Sequence, residues 1–155
     1  MDVELSALEN GRLPVRYSID GRAFSPPVRW RGVPDAAKEL ALAIETVTAG
    51  GEPRFAHWLA WGIDPRWKGL DEGLMTKPEP DEPSGLVQGT ADSGKTGYDA
   101  PVGTINRPQR MRVRLLALDR RLDLEPAADS GAFRQAVQGH VLEEAERRFE
   151  YLRPE

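Results

Sequence analysis

The sequence predicts a mainly β fold formed by a single domain, residues 1–155. A chain of 155 residues is within the common size range of one domain. Its 13 Pro and 15 Gly residues are concentrated in the first two thirds and divide that part into short segments, as is typical of strands and loops. Only one stretch, close to the end, has helical spacing. We therefore expect strands through most of the chain and one late helix.

Three segments have the patterns of strands. Residues 38–45 are apolar at odd and even positions alike, which indicates a strand buried on both faces, although so short an apolar run also fits a helix. Residues 54–63 alternate between two faces, with Ala56, Trp58, Ala60 and Gly62 on one of them. The other face is predicted to point into the core and consists of Phe55, His57, Leu59, Trp61 and Ile63. Residues 110–118 alternate and then become apolar on both faces, which predicts another central strand.

The helical pattern covers residues 130–145, where the spacing is 3-4-4-4 in Ser130, Phe133, Val137, Val141 and Ala145. Such spacing predicts an amphipathic helix that is capped by Ser130 or Asp129. Residues 147–152 are predicted to form the last strand. Residues 71–85, rich in Pro and acid, and residues 92–108, rich in Gly, are predicted to be loops long enough for a functional role.

Composition removes several classes of function. The 21 basic and 25 acidic residues are interspersed and give a net charge of −4, so no basic stripe is available to bind nucleic acid. The chain has no cysteine, which excludes a disulfide framework, a thiolate nucleophile and a cysteine-ligated zinc. The N-terminus is acidic and no apolar run approaches the ~20 residues of a membrane span. These features predict a cytoplasmic location.

Residues 89–96 match the nucleotide-binding pattern G-x-x-x-x-G-K-[ST] in full. That mechanism needs a helix that begins at the lysine and directs its backbone N–H groups at the phosphates. Here residues 97–103 contain two glycines and a proline, and no helix is expected to begin there. Nucleotide hydrolysis through this loop is therefore the least favoured function.

His57 has two possible roles, as a core histidine hydrogen-bonded to a backbone carbonyl or as a donor at the bottom of a pocket. His140 and Glu143 have a spacing that can bind metal, but a solvated helix face explains the pair more simply. The G-x-S-x-G pattern of a nucleophile elbow is absent. We therefore predict no catalytic residue, no metal and no cofactor.

Several stretches, read in order, resemble the phosphatidylethanolamine-binding protein family, and specifically its bacterial branch known as Raf kinase inhibitor-like. The resemblance is carried by residues 20–34 (DGRAFSPPVRWRGVP), His57-Trp58, residues 87–89, 94–98, 117–119 and 139–142. It extends over nearly the whole chain, and it explains the nucleotide-binding pattern as the loop of that family.

The resemblance implies a Greek-key β-sandwich with a large central sheet, a smaller second sheet and a C-terminal helix-strand element. It also implies a small pocket at one end that takes anions such as phosphate groups. Members of the family act as ligand-binding proteins and as regulators of kinases or proteases, and they are not generally enzymes.

The pocket implied by the resemblance departs from the family pattern. Residues 46–50 (TVTAG) replace D-P-D-x-P, residues 107–110 (RPQR) replace G-x-H-R, and residues 99–104 replace a Pro-rich turn. The predicted ligand-binding residues are Thr46, Thr48, Phe55, His57, Tyr98, Gln109 and Arg110. Without a neighbouring acid, His57 is expected to be neutral, and Asp99 adds a negative charge near the mouth. Affinity for anions should therefore be weaker than in the family, unless Arg110 and Lys95 compensate.

Three hypotheses follow. The leading one is a non-catalytic protein that binds a small polar or weakly anionic ligand around His57. The alternative is a vestigial pocket on a module that binds a protein, either a regulated kinase or protease or a second copy, through residues 71–85 and 92–108. The third is the nucleotide hydrolase. A bound anion at His57 would favour the first, and a large apolar self-interface the second.

Overall fold

The computed structural model describes all 155 residues and contains two antiparallel sheets and one α-helix. The strands are β1 (Asp2–Leu5), β2 (Val28–Arg31), β3 (Glu39–Val47), β4 (Pro53–Ile63), β5 (Gly69–Leu70), β6 (Val87–Gln88), β7 (Gln109–Leu118) and β8 (Val141–Tyr151), and helix α1 is Ser130–Val137. The smaller sheet has the order β1-β2-β5, and the larger has the order β6-β4-β3-β7-β8. The mainly β, two-sheet architecture with a late helix and strand is confirmed.

Strand β3 is the middle of the larger sheet and is buried on both faces, as its apolar sequence predicts. The core on one face contains 23 buried residues, among them Leu42 of β3 and residues of both sheets such as Val3 and Trp58. The core on the other face is smaller, and there the sheet packs against Phe133 and Val137 of α1. Burial of both faces fixes the register of β3, because a slip by one residue would exchange the two faces.

Two of the three register shifts between β3 and β4 change the predicted faces of β4. The pairing with β3 skips His57, so that Ala56 lies opposite Glu45 and Trp58 opposite Ile44. A second irregularity surrounds Gly62, which adopts a left-handed backbone with φ +69°. Each bulge moves the following residues to the opposite face. The prediction that Leu59 and Trp61 share a face with Ile63 is therefore wrong. Leu59 and Trp61 contact the core beside α1. The core between the sheets is contacted by Trp58, Ala60 and Ile63.

The helix is shorter than predicted. It ends at Val137, and Gly139 with φ +81° reverses the chain, as glycine commonly does after a helix. Val141 and Ala145 belong to β8, which pairs with β7 from Leu118 to Gln109. The last strand accordingly begins six residues earlier than the predicted start at residue 147. Asp129 is the helix cap, because its Oδ1 accepts the N–H of Ala132 at 2.9 Å.

No helix of the structure is long and apolar enough to cross a membrane.

Candidate functional site

Three strands of the larger sheet bring the predicted polar residues together at one end. Thr46 near the end of β3 lies opposite Phe55 of β4 and Met111 of β7. The bulge places His57 beside them, and Gln109 is the first residue of β7. We call Thr46, Phe55, His57 and Gln109 the His57 site.

A chain of three hydrogen bonds connects this site. The Gln109 Nε2 donates to Thr46 Oγ1 at 2.6 Å, and Thr46 Oγ1 lies 2.7 Å from His57 Nε2. The other ring nitrogen, Nδ1, lies 2.9 Å from the backbone oxygen of Asp99. Because a carbonyl only accepts, Nδ1 must carry a proton, and Nε2 of the neutral ring then accepts from the Thr46 hydroxyl. The chain of bonds therefore selects one neutral tautomer of His57.

Burial keeps His57 neutral. The residue is 5% exposed, and loss of solvation lowers its pKa from the usual 6.5, although the Asp99 carbonyl and the charges of Asp99 and Asp92 act in the opposite direction. The imidazole is thus mainly uncharged at neutral pH, as the missing acid predicts. Both of its nitrogens are already hydrogen-bonded within the protein.

The groups left open at the site are a carboxamide and an aromatic ring. Gln109 is half-buried, and its Oε1 accepts no hydrogen bond from the protein. The Phe55 ring is also half-buried and its centroid lies 4.8 Å from that of the imidazole. A small molecule in this position would meet the Gln109 amide and the Phe55 ring, and neither group is cationic.

The other predicted site residues lie outside this cluster. Thr48 shapes the turn after β3, where its Oγ1 accepts the N–H of Glu52 at 3.1 Å. Tyr98 is buried, donates its hydroxyl to the backbone oxygen of Tyr17 at 2.6 Å and packs edge-on against Trp58. Arg110 is exposed and lies on the opposite face of β7 from its neighbour Gln109.

Two aspartates of the 92–108 loop hold β4 at the bulge, a role that the sequence did not predict. Asp99 contributes its backbone to His57, accepting at the carbonyl and donating its N–H to the His57 backbone oxygen at 2.8 Å. The Asp92 carboxylate accepts the N–H of Ala56 at 2.7 Å and the hydroxyl of Ser130 at 2.8 Å. A backbone acceptor leaves no signal in a sequence, whereas an aspartate in a Gly-rich loop is a recognisable turn residue.

The loop that matches the nucleotide-binding pattern folds back on itself. Ala91 N–H donates to the Lys95 oxygen at 2.7 Å, and Gly97 N–H donates to the Gly89 oxygen at 3.0 Å. The Lys95 ammonium lies 3.7 Å from the Asp99 carboxylate, and no helix follows it. The geometry that directs backbone N–H groups at phosphates is therefore absent from this loop.

No group of three or more His, Asp or Glu side chains is placed to hold a metal ion. His140 instead lies 3.0 Å from Asp119, measured from Nδ1 to Oδ1.

The fold is that of a two-layer β protein. It combines two antiparallel sheets, a helix before the last strand and a buried polar site at one end of the larger sheet. The sequence model described as "Phosphatidylethanolamine-binding protein" matches residues 5–152. The chain therefore belongs to the phosphatidylethanolamine-binding protein family.

Relatives and solved structures agree with this membership. A UPF0098 protein of Methanothermobacter thermautotrophicus is 42% identical over 140 residues, which cover 88% of each chain. A structure of a phosphatidylethanolamine-binding protein homologue, CT736 of Chlamydia trachomatis, has a TM-score of 0.82 and 27% identity over 98% of this chain and 97% of that one. E. coli YbcL also has a TM-score of 0.82, with 98% of each chain covered, and at 18% identity it supports the fold alone.

Proposed function

We propose that this chain is a non-catalytic binding protein that takes a small polar ligand, uncharged or weakly anionic, at the His57 site. The observation that carries the proposal is the hydrogen-bonded chain from Gln109 through Thr46 to a neutral His57. The proposal is supported by the unused acceptor of the Gln109 amide and by the Phe55 ring, which lies beside the imidazole at the same end of the sheet.

Charge supports an uncharged or weakly charged ligand over a phosphate dianion. A phosphate group is held best by cationic or multiple N–H donors, and the His57 imidazole has neither a charge nor a free N–H to offer. Arg110 lies on the other face of the sheet, and the Lys95 charge is close to that of Asp99. An amide ligand can instead exchange hydrogen bonds with the Gln109 carboxamide, and a carboxylate can accept one from its second N–H.

The experiment is an ¹H–¹⁵N NMR titration with three probes, namely acetamide, acetate and phosphoethanolamine. We expect acetamide and acetate to shift the amide signals of residues 46, 55–57, 99 and 109, and phosphoethanolamine to shift them least. Gln109→Leu should abolish these shifts. Gln135→Leu is the matched control, because Gln135 is exposed on α1. If no probe moves these signals, or if phosphoethanolamine binds most tightly, the proposal is wrong.

A second candidate, binding of a protein partner such as a kinase or protease, is favoured by apolar side chains next to the site. Val102 and Ile105 are 54% and 45% exposed, and both belong to the loop of residues 92–108. Ile19, 48% exposed, lies beside them because its N–H donates to the Pro101 oxygen at 3.1 Å. For self-association, light scattering should report a dimer that Val102→Asp disrupts, and a monomer at all concentrations would remove the homodimer.

A further inference from the structure

A cleft of about 860 Å³ opens at the other end of the larger sheet. Its lining comes from four segments, residues 33–39, 61–67, 84–87 and 121–124. Glu39 in this cleft and Thr46 in the His57 site are seven residues apart on β3, so the two places are separated by about 23 Å. A volume of this size is typical of clefts that bind small organic molecules.

Glu39 is the one buried ionisable residue in the lining. Glu39 is 7% exposed, and its Oε2 accepts the backbone N–H of Leu122 at 3.2 Å. No lysine or arginine lies within salt-bridge distance of it, unlike the buried Glu45, which pairs with Arg112 and Arg114 at 3.0 Å each. Burial raises the pKa of Glu39, although N–H groups of Leu122 and Gly62 and the charge of Arg121 counteract it. A buried carboxylate without a counter-ion is costly and uncommon.

The surroundings of Glu39 are apolar toward the interior and charged at the rim. Apolar side chains include Trp61, Ile63, Trp67, Val87, Leu122 and Leu124. At the rim, Lys38 and Arg121 are exposed, and Arg66 is paired with Asp64 at 2.8 Å. Because exposed charges are solvated and screened, the rim contributes little to affinity. The buried carboxylate and the apolar walls are therefore the features that select a ligand.

We propose that this cleft binds a small amphipathic primary amine, whose ammonium group pairs with Glu39 and whose apolar body lies against Trp67. An ammonium group in the cleft can form the salt bridge that no lysine or arginine of the protein forms with Glu39, to which Arg121 contributes only a more distant charge. An alcohol of the same shape can donate a hydrogen bond but leaves the carboxylate unpaired, and a carboxylic acid places two acids together. Trp67 is half-buried, so part of its ring is accessible to the ligand body.

The test uses three probes that differ only in their head group, 3-phenylpropylamine, 3-phenylpropan-1-ol and 3-phenylpropanoate, titrated into the ¹⁵N-labelled full chain. The amine is expected to shift signals of residues 33–39, 61–67 and 121–124 and to bind about tenfold tighter than the alcohol, as a charge-assisted hydrogen bond over a neutral one allows. The propanoate should not bind. This comparison is made on the unmodified chain and does not depend on whether any variant folds.

Glu39→Gln keeps an oxygen that can accept the Leu122 N–H and removes the charge, so it should weaken the amine about tenfold and leave the alcohol unchanged. Asp35→Asn is the matched control at the exposed rim and should leave both affinities unchanged. Trp67→Ala should weaken amine and alcohol together, and it retains the backbone oxygen that accepts from Trp30 Nε1 at 2.7 Å. Equal affinity for amine and propanoate, or amine-induced shifts confined to the His57 site, would overturn the proposal.

Discussion

Replacing Thr46 by aspartate should convert His57 from a neutral to a positively charged side chain near neutral pH. The Thr46 oxygen lies 2.7 Å from His57 Nε2, so a carboxylate at position 46 would be adjacent to the same nitrogen. Two unit charges about 4 Å apart attract by about 4 kcal/mol at an effective dielectric constant of about 20, which corresponds to about three pKa units. The cost of burying the pair reduces this, and we expect the pKa of His57 to rise by about one to three units, or about 1.4 to 4 kcal/mol.

The assay is an NMR pH titration of the histidine ring protons. The chain has only two histidines, and His140, which lies beside Asp119 at the far end of β7, provides an internal reference. Thr46→Asn is the control, because it changes the hydrogen bonding without adding charge. If the pKa values of His57 in the Asp and Asn variants are the same, Thr46 does not border the imidazole, and the structure of the His57 site is wrong.

The same change should restore affinity for phosphate groups when a second imidazole is added. We expect Thr46→Asp combined with Gln109→His to bind phosphoethanolamine more tightly than the unmodified chain near pH 6, since a charged His57 and a new ring N–H outweigh the repulsion from one screened carboxylate. Isothermal titration calorimetry measures this, with His57→Ala added to the double variant as the control. Unchanged affinity in the double variant, or affinity that survives loss of His57, would count against a pocket organised around this histidine.

Three further predictions concern stability and are measured by urea unfolding. Burial lowers the pKa of folded His57 below the 6.5 of the unfolded chain, so the unfolded chain binds a proton more readily. The contribution of His57 to stability is therefore present above pH 6.5 and is lost as the pH falls, by about 1.4 kcal/mol for each unit that separates the folded and unfolded pKa values. His57→Gln should flatten this dependence. Glu45→Ala leaves two largely buried arginines without their shared partner and should cost about 2–4 kcal/mol, whereas Glu144→Ala, at a 46% exposed carboxylate, should cost less than about 1 kcal/mol. Gly62→Ala would place Cβ 2.4 Å from the Gly85 oxygen and should cost about 2 kcal/mol or more. Gly94→Ala, with nothing within 4 Å of its Cβ, should cost about 1–2 kcal/mol for its left-handed backbone alone. Equal costs for the two glutamate variants, or for the two glycine variants, would contradict the stated cause.

The fold was predictable where burial alone decides the pattern. Strand β3 is buried on both faces, and its uninterrupted apolar run shows this directly. The end of α1 was not predictable from spacing, because Val137, Val141 and Ala145 are each four residues apart. Residues four apart lie on one face of a helix and also on one face of a strand, so the same positions fit α1 and β8. Gly139, with its left-handed backbone, is the residue that separates the two elements.

The residues of the His57 site were predicted from the family resemblance. Thr46, Phe55 and Gln109 occupy positions of the family motifs in this sequence, and the structure brings all three to His57. Arg110 is the immediate neighbour of Gln109 in β7, and adjacent residues of a strand point to opposite faces. Strict alternation could therefore have separated these two. The bulge at His57 could not be predicted, because it depends on which residues of β3 lie opposite.

The two ends of the larger sheet treat a buried ionisable group in opposite ways. At one end His57 is surrounded by a hydroxyl, an amide and a carbonyl, so the protein itself satisfies a neutral base. At the other end Glu39 interacts with backbone N–H groups and forms no salt bridge. Since a neutral, hydrogen-bonded group binds charged ligands weakly and an unpaired carboxylate binds cations, the two ends should select ligands of different charge.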